Sequence, residues 1–153
     1  MSRHVFAWRH LAAAVVISLL AGCAQTSSQP VASNPPPVAP GANAVWYTVS
    51  FDTGSYAINA DGRKVISEVV AAMKANPAAV ATVIGRTDTV GSNDYNMRLS
   101  HRRADAVRDA LVYDGSVTMD RVEARWTGEA RQGVPMGDNV AATQNRVVDI
   151  AIH

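Results

Sequence analysis

The residues of this chain with the types and spacing to do chemistry are Asp88, Asn96 and Arg103, within the stretch VIGRTDTVGSNDYNMRLSHRRADAVRDAL from Val83 to Leu111. The apolar run Val80 to Ile84 stops at Gly85 and gives way to the polar loop 86–93, after which helical periodicity takes over. Asp88 sits just past the end of a strand, and Asn96 lies near the start of a helix. Arg103 follows about two turns later at ~3.6 residues per turn. A carboxylate and a guanidinium are thus brought towards one crevice. On residue types alone, the simplest use of the pair is a salt bridge that pins the loop to the helix. Neither residue belongs to the apolar face of its element, so removing either is expected to spare the fold. Ser100 and His101 are neighbours in the chain, but on a helix their side chains diverge and make no nucleophile-base pair. The oxygen-rich loop from Asp88 to Asp94 lacks the spacing of a calcium loop and reads as turn chemistry. Arg98, Arg102 and Arg108 read as a solvated face balanced by Asp94, Asp105 and Asp109.

The elements that must position these groups follow from periodicity. Val45 to Asp52 alternates, with Val45, Tyr47, Val49 and Phe51 on one face, which predicts a half-buried strand ended by Asp52-Thr53-Gly54-Ser55. Asn59 is placed to cap a helix running to about Ala75, whose stripe is Val65, Ile66, Val69, Val70 and Met73, and Asn76-Pro77 stops it. Val80 to Ile84 is apolar on both faces apart from Thr82, which predicts a central strand covered by helices. The second helix buries Leu99, Val107 and Leu111, packs closely through Ala104 and Ala106, and ends near Asp114-Gly115. A third strand, Arg121 to Thr127, turns Val122, Ala124 and Trp126 inward and Arg121, Glu123 and Arg125 outward. Gly128 to Asn139 is a loop, and the last strand, Arg146 to His153, carries Val148, Ile150 and Ile152 on one face. The order β-α-β-α-β-β describes one α+β domain over residues 45–153, a mixed sheet with helices packed on it. In such sheets ligands bind outside the carboxyl ends of strands, which is where Asp88 lies.

The spacing G-x-T-D-x-x-G followed by N-x-x-L-S-x-x-R-A-x-x-V-x-x-x-L, here Gly85, Thr87, Asp88, Gly91, Asn96, Leu99, Ser100, Arg103, Ala104, Val107 and Leu111, resembles the peptidoglycan-binding domain of the OmpA C-terminal family, which includes the peptidoglycan-associated lipoproteins. The resemblance extends back to Val49-Ser50-Phe51-Asp52 and on through Gly128, Pro135 and Asn145-Arg146. It implies a ligand in the peptide stem of peptidoglycan, above all meso-diaminopimelate, whose free end carries an ammonium and a carboxylate on one carbon. Such a zwitterion needs an anion and a cation a few ångströms apart, and a guanidinium binds carboxylate bidentately. By resemblance, Asp88 takes the ammonium and Arg103 the carboxylate, with Thr87, Asn96 and loop amides adding hydrogen bonds. An unliganded salt bridge that opens to the ligand satisfies both readings of the pair. Arg86 stands where the family usually has histidine. In an extended segment it lies on the side of Asp88, to compete for that carboxylate or to add a contact to a second stem carboxylate. Where the family usually ends N-R-R-V, this chain has Asn145-Arg146-Val147-Val148 and lacks the second arginine.

Ahead of the domain, Arg3, His4, Arg9 and His10 precede the apolar segment Leu11 to Leu20 and then Ala21-Gly22-Cys23. A basic start, a short apolar run and small residues describe a secretory signal peptide over residues 1–22, since a spanning helix needs ~20 apolar residues. Leu-Ala-Gly-Cys resembles the bacterial lipobox, which implies that Cys23 is lipidated. As the single cysteine it has no partner for an intramolecular disulfide. Each buried methylene contributes ~0.8 kcal/mol and one chain holds only marginally, so a multiply acylated Cys23 would be a firm anchor. Residue 24 is alanine rather than the aspartate that retains lipoproteins of enteric bacteria in the inner membrane, which points to the outer membrane. The segment to Ala44 is uncharged and rich in Pro, Ser, Asn and Ala, a disordered tether reaching ~65 Å if extended or ~25 Å as a coil.

Loss of Arg3 and Arg9 with the signal peptide leaves 12 basic residues against 13 acidic ones, a balance that argues against a nucleic-acid partner. His101 and His153 are then the remaining histidines, and with the thiol lipidated there is no ligand set for zinc and no cysteine nucleophile. The expectation is therefore a non-enzymatic outer-membrane lipoprotein, without metal or cofactor, that binds peptidoglycan non-covalently with its domain in the periplasm. The alternative is an envelope module that docks a Tol-type or secretion-system partner, its wall binding weakened by Arg86 and Val147.

Overall fold

The computed structural model describes residues 43–153. The expected signal peptide, Cys23 and nearly all of the tether lie outside the described residues. Four strands and two helices make up the domain: β1 (Val45–Ser50), α1 (Ala60–Ala75), β2 (Ala81–Gly85), α2 (Asn93–Asp109), β3 (Val122–Trp126) and β4 (Val147–Ile152). The expected order holds; β1, β3 and β4 are each two residues shorter than the periodic runs, and β2 keeps its length but starts one residue later. Asn59 caps α1 by accepting from the Gly62 amide at 2.8 Å, and Asn76 ends it in extended backbone. Ser92 caps α2, whose last turn widens into a π-helical turn, Ala110–Asp114, closed by Gly115.

The sheet order is β1-β4-β2-β3. The last strand inserts between the first two, antiparallel to both, while β2 and β3 run parallel. In register, Val49 and Gly85 flank Val148, and Val83 stands between Ile150 and Ala124, so these residues share one face. That face and both helices form a single core in which Ile66, Val69 and Met73 of α1 meet Ala104, Val107 and Leu111 of α2.

One expectation about the sheet changes. Among the described residues the helices cover one face only, so β2 is central without being sandwiched between helices there. Its other face carries Thr82, whose hydroxyl lies 3.1 Å from His153 Nε2, and half-buried Ile84. Arg125 faces away from the helices as expected; it is 7% exposed and pairs with Glu123 on the same face at 2.6 Å. α2 approaches β2 very closely: a Cβ on Gly85 would stand 2.1 Å from the Ser100 carbonyl oxygen. That contact fixes where the loop between them must run.

Candidate functional site

The loop leaving β2 keeps the sheet's hydrogen bonding for two more residues, with the Arg86 amide donating to Val147 and the Thr87 amide to Gly128. It then turns out against the segment that follows β3. Thr89 is the clasp: its hydroxyl donates to the Gly137 carbonyl at 2.6 Å and accepts from the Val140 amide at 2.9 Å, while its carbonyl accepts from Asn139. Asn145, fully buried, braces the same segment by pairing its amide with both backbone groups of Val134.

Asp88 therefore points into an enclosed polar crevice, 5% exposed. Its Oδ2 accepts from the Arg146 guanidinium at 3.1 Å and from the Ala142 amide at 3.3 Å. Arg146 also donates to the Thr143 hydroxyl and, at 3.4 Å, to the Phe51 carbonyl. Arg103 comes up from α2 with no exposed surface. Its guanidinium donates to the carbonyls of Ser55 (2.8 Å), Asp52 (2.9 Å) and Arg86 (3.1 Å) and lies over the Phe51 ring at 5.2 Å. Burial pushes the Arg103 guanidinium down from its ordinary value to about 10, with Asp88 opposing that shift and Arg146 adding to it. It stays charged at neutral pH.

The structure thus gathers Asp88 and Arg103 into one crevice without pairing them. The expected Asp88–Arg103 salt bridge is replaced by Asp88–Arg146, because Arg103 is committed to backbone carbonyls of the loop after β1. For the same reason the expectation that Arg103 can be removed without harm to the fold is reversed. Arg86 is also elsewhere: its Nε lies 2.9 Å from Asp149 Oδ2 and its guanidinium donates to the Arg131 carbonyl, so it does not compete for Asp88. Still within the sheet's hydrogen bonding, Arg86 follows the strand's alternation, whereas Asp88 already belongs to the turn.

Thr87 is fully buried, and its hydroxyl has no hydrogen-bond partner among the described residues. Asn96, 1% exposed, donates to Glu129 at 2.6 Å, and its Oδ1 is likewise without a partner among the described residues. These two buried oxygens are acceptors without a partner among the described residues, beside the Asp88 carboxylate. Sequence reasoning missed Arg146, Thr143 and Glu129 as members of the site. Asn145-Arg146 was present in the matched pattern, but nothing in the spacing tells that its arginine reaches Asp88, 58 residues away. Among the described residues, no group of three or more His, Cys, Asp or Glu side chains is placed to hold a metal.

Comparison with known proteins gives the chain its relatives. The OmpA family model matches residues 50–146. The Escherichia coli probable lipoprotein YiaD is 36% identical over 107 residues, covering 68% of this chain and 47% of that protein. A peptidoglycan-associated lipoprotein of Pasteurella multocida is 34% identical over 99 residues, 65% of each chain. The crystal structure of the peptidoglycan-associated lipoprotein from Burkholderia pseudomallei superposes with a TM-score of 0.64 at 28% identity, over 69% of this chain and 89% of that one. The chain spans about half the length of the Escherichia coli relative.

Proposed function

The chain belongs to the OmpA family, and from that membership we propose that its domain binds peptidoglycan non-covalently, without catalysis, through the zwitterionic end of meso-diaminopimelate. The observation that carries the reading is one buried carboxylate, Asp88, held at the end of β2 beside two guanidiniums. The ligand ammonium takes the place of Arg146 on Asp88. Arg146, its side chain 13% exposed, is then released to the ligand carboxylate. Arg103, with no exposed surface and three of its N–H groups on carbonyls, adds its charge while it holds the 52–55 loop. Exchanging one cation for another on an already buried carboxylate avoids desolvating that carboxylate anew, so the cost that remains falls on the ligand's own charges.

The relatives named lipoproteins, with the lipobox-like Leu20-Ala21-Gly22-Cys23, support a lipid anchor at Cys23 that holds the protein in the outer membrane, the tether spanning to the wall. Cys23→Ser should leave that membrane fraction; a mature variant still sedimenting with outer membrane would refute the anchor.

Titration calorimetry of the full-length chain in detergent, with a diaminopimelate stem peptide and its lysine counterpart, tests the crevice. Lysine lacks the terminal carboxylate and should bind far more weakly. Asp88→Asn, which keeps the shape and removes the charge, should cost on the order of 2 to 5 kcal/mol, or ~30-fold and more. Arg86→His should leave affinity unchanged, because Arg86 is turned to Asp149. Equal affinity for the two peptides in the wild type would refute recognition of a zwitterion.

A further inference from the structure

Beside the crevice, on the outer surface of α2, lies a second cavity of about 260 Å³ lined by Gly54, Tyr95, Arg98, Leu99 and Arg102. Its walls hold two guanidiniums and a phenol and no carboxylate. Arg98 and Arg102 are four residues apart and so share one helix face. The acidic residues expected to balance them are engaged elsewhere: Asp105 pairs with Arg108 and His101, and Asp109 with Arg108. Among the described residues no carboxylate lies within ion-pair distance of Arg98 or Arg102, Asp94 included. Arg102 is held by its face, 5.7 Å over the Tyr56 ring, which leaves its N–H edge free for an anion.

The cavity and the crevice share a wall. The carbonyls of Asp52 and Ser55 face inward to Arg103, while Gly54 between them lines the cavity. Gly54 is in the left-handed region at φ 65°, and a Cβ there would meet the Tyr95 hydroxyl at 3.3 Å. Gly91, at φ 102°, closes on the other edge of the Tyr95 ring. Tyr95 is thereby clamped between the loops after β1 and β2, and the 52–55 loop separates the cavity from the crevice by the thickness of one backbone segment.

We propose that Arg98 and Arg102 form a second anionic subsite, which takes the free α-carboxylate of the glutamate that precedes diaminopimelate in the stem. That glutamate is joined through its γ-carboxyl, so its α-carboxylate is unreacted and lies one residue from the crevice. The inference rests on the diaminopimelate reading and adds a specificity to it: the chain tells a stem with free glutamate from one whose α-carboxylate is amidated, a form without charge at that point.

The test is calorimetry of the full-length chain in detergent with free meso-diaminopimelate, the tripeptide Ala-γ-Glu-diaminopimelate, and the same tripeptide amidated on the glutamate. The free acid should bind tighter than the amide by on the order of tenfold. Arg98→Gln/Arg102→Gln should abolish that difference with no change for free diaminopimelate, and Arg98→Gln alone, on an exposed position, should remove part of it. Equal affinity for acid and amide in the wild type, or a difference that persists in the double variant, overturns the subsite while leaving the crevice reading intact. No binding of free diaminopimelate overturns both.

Discussion

Replacing Arg103 by methionine should destabilise the domain, although the change is from a buried charge to an apolar side chain that fills much of the same space. The three carbonyls of Asp52, Ser55 and Arg86 lose their donor, at ~2 kcal/mol each if none finds another. Against this stands relief of the burial cost reported by the fall of the guanidinium from its ordinary value to about 10, on the order of 3 kcal/mol. The balance is a loss of about 3 kcal/mol, a large part of the ~5–15 kcal/mol of an ordinary domain. With a urea dependence of ~1–3 kcal/mol per molar, the midpoint should fall by at least about 1 M. Equilibrium unfolding in urea, followed by far-UV circular dichroism, reads it directly. Arg103→Lys should lose nearly as much, since a single ammonium on a flexible stem does not reproduce the rigid fork. A midpoint within about 0.3 M of wild type for Arg103→Met would refute the claim that this guanidinium holds the 52–55 loop.

Gly85→Ala should cost about 3 kcal/mol, because its Cβ falls 2.1 Å from the Ser100 carbonyl oxygen and α2 has to back away from the sheet; a thermal midpoint equal to wild type would show that the helix has room to move. Asn59→Ala should cost about 1 kcal/mol by removing the cap on the Gly62 amide, and retained stability there would mean that α1 is held by its buried face alone.

The elements were legible because their signals are local. Asn59, Asn76-Pro77 and Gly115 act within one turn of the helix ends they set, and the stripe Ile66, Val69 and Met73 is buried as its spacing requires. Sheet order was less so, since a run of alternating residues does not say which neighbours it pairs with. The insertion of β4 between β1 and β2 depends on the whole chain, and it brings Asp149 beside Arg86 and Arg146 up to Asp88. The coverage of the sheet was misread for a related reason. Ile84 and Ala151 are apolar on the face away from the helices, where side chains of the strands themselves, not a second helix layer, surround them.

The partners of the charges were the least legible part, and the reason bears on how the crevice works. A family pattern records which residue types recur, and Asp88 and Arg103 recur together whether they touch or act through what lies between them. Here the loop after β1 lies between them: Arg146 reaches its Phe51 carbonyl, and Arg103 reaches those of Asp52 and Ser55. Both guanidiniums therefore grip the same short stretch of backbone while only one grips the carboxylate. A ligand that draws Arg146 off Asp88 also loosens one end of that stretch, and Arg103 holds the other. On the proposed reading, the arginine that does not pair with Asp88 keeps the crevice formed while the arginine that does is exchanged, and loss of either charge would weaken binding for different reasons: Arg146 through the contact it makes, Arg103 through the wall it supports.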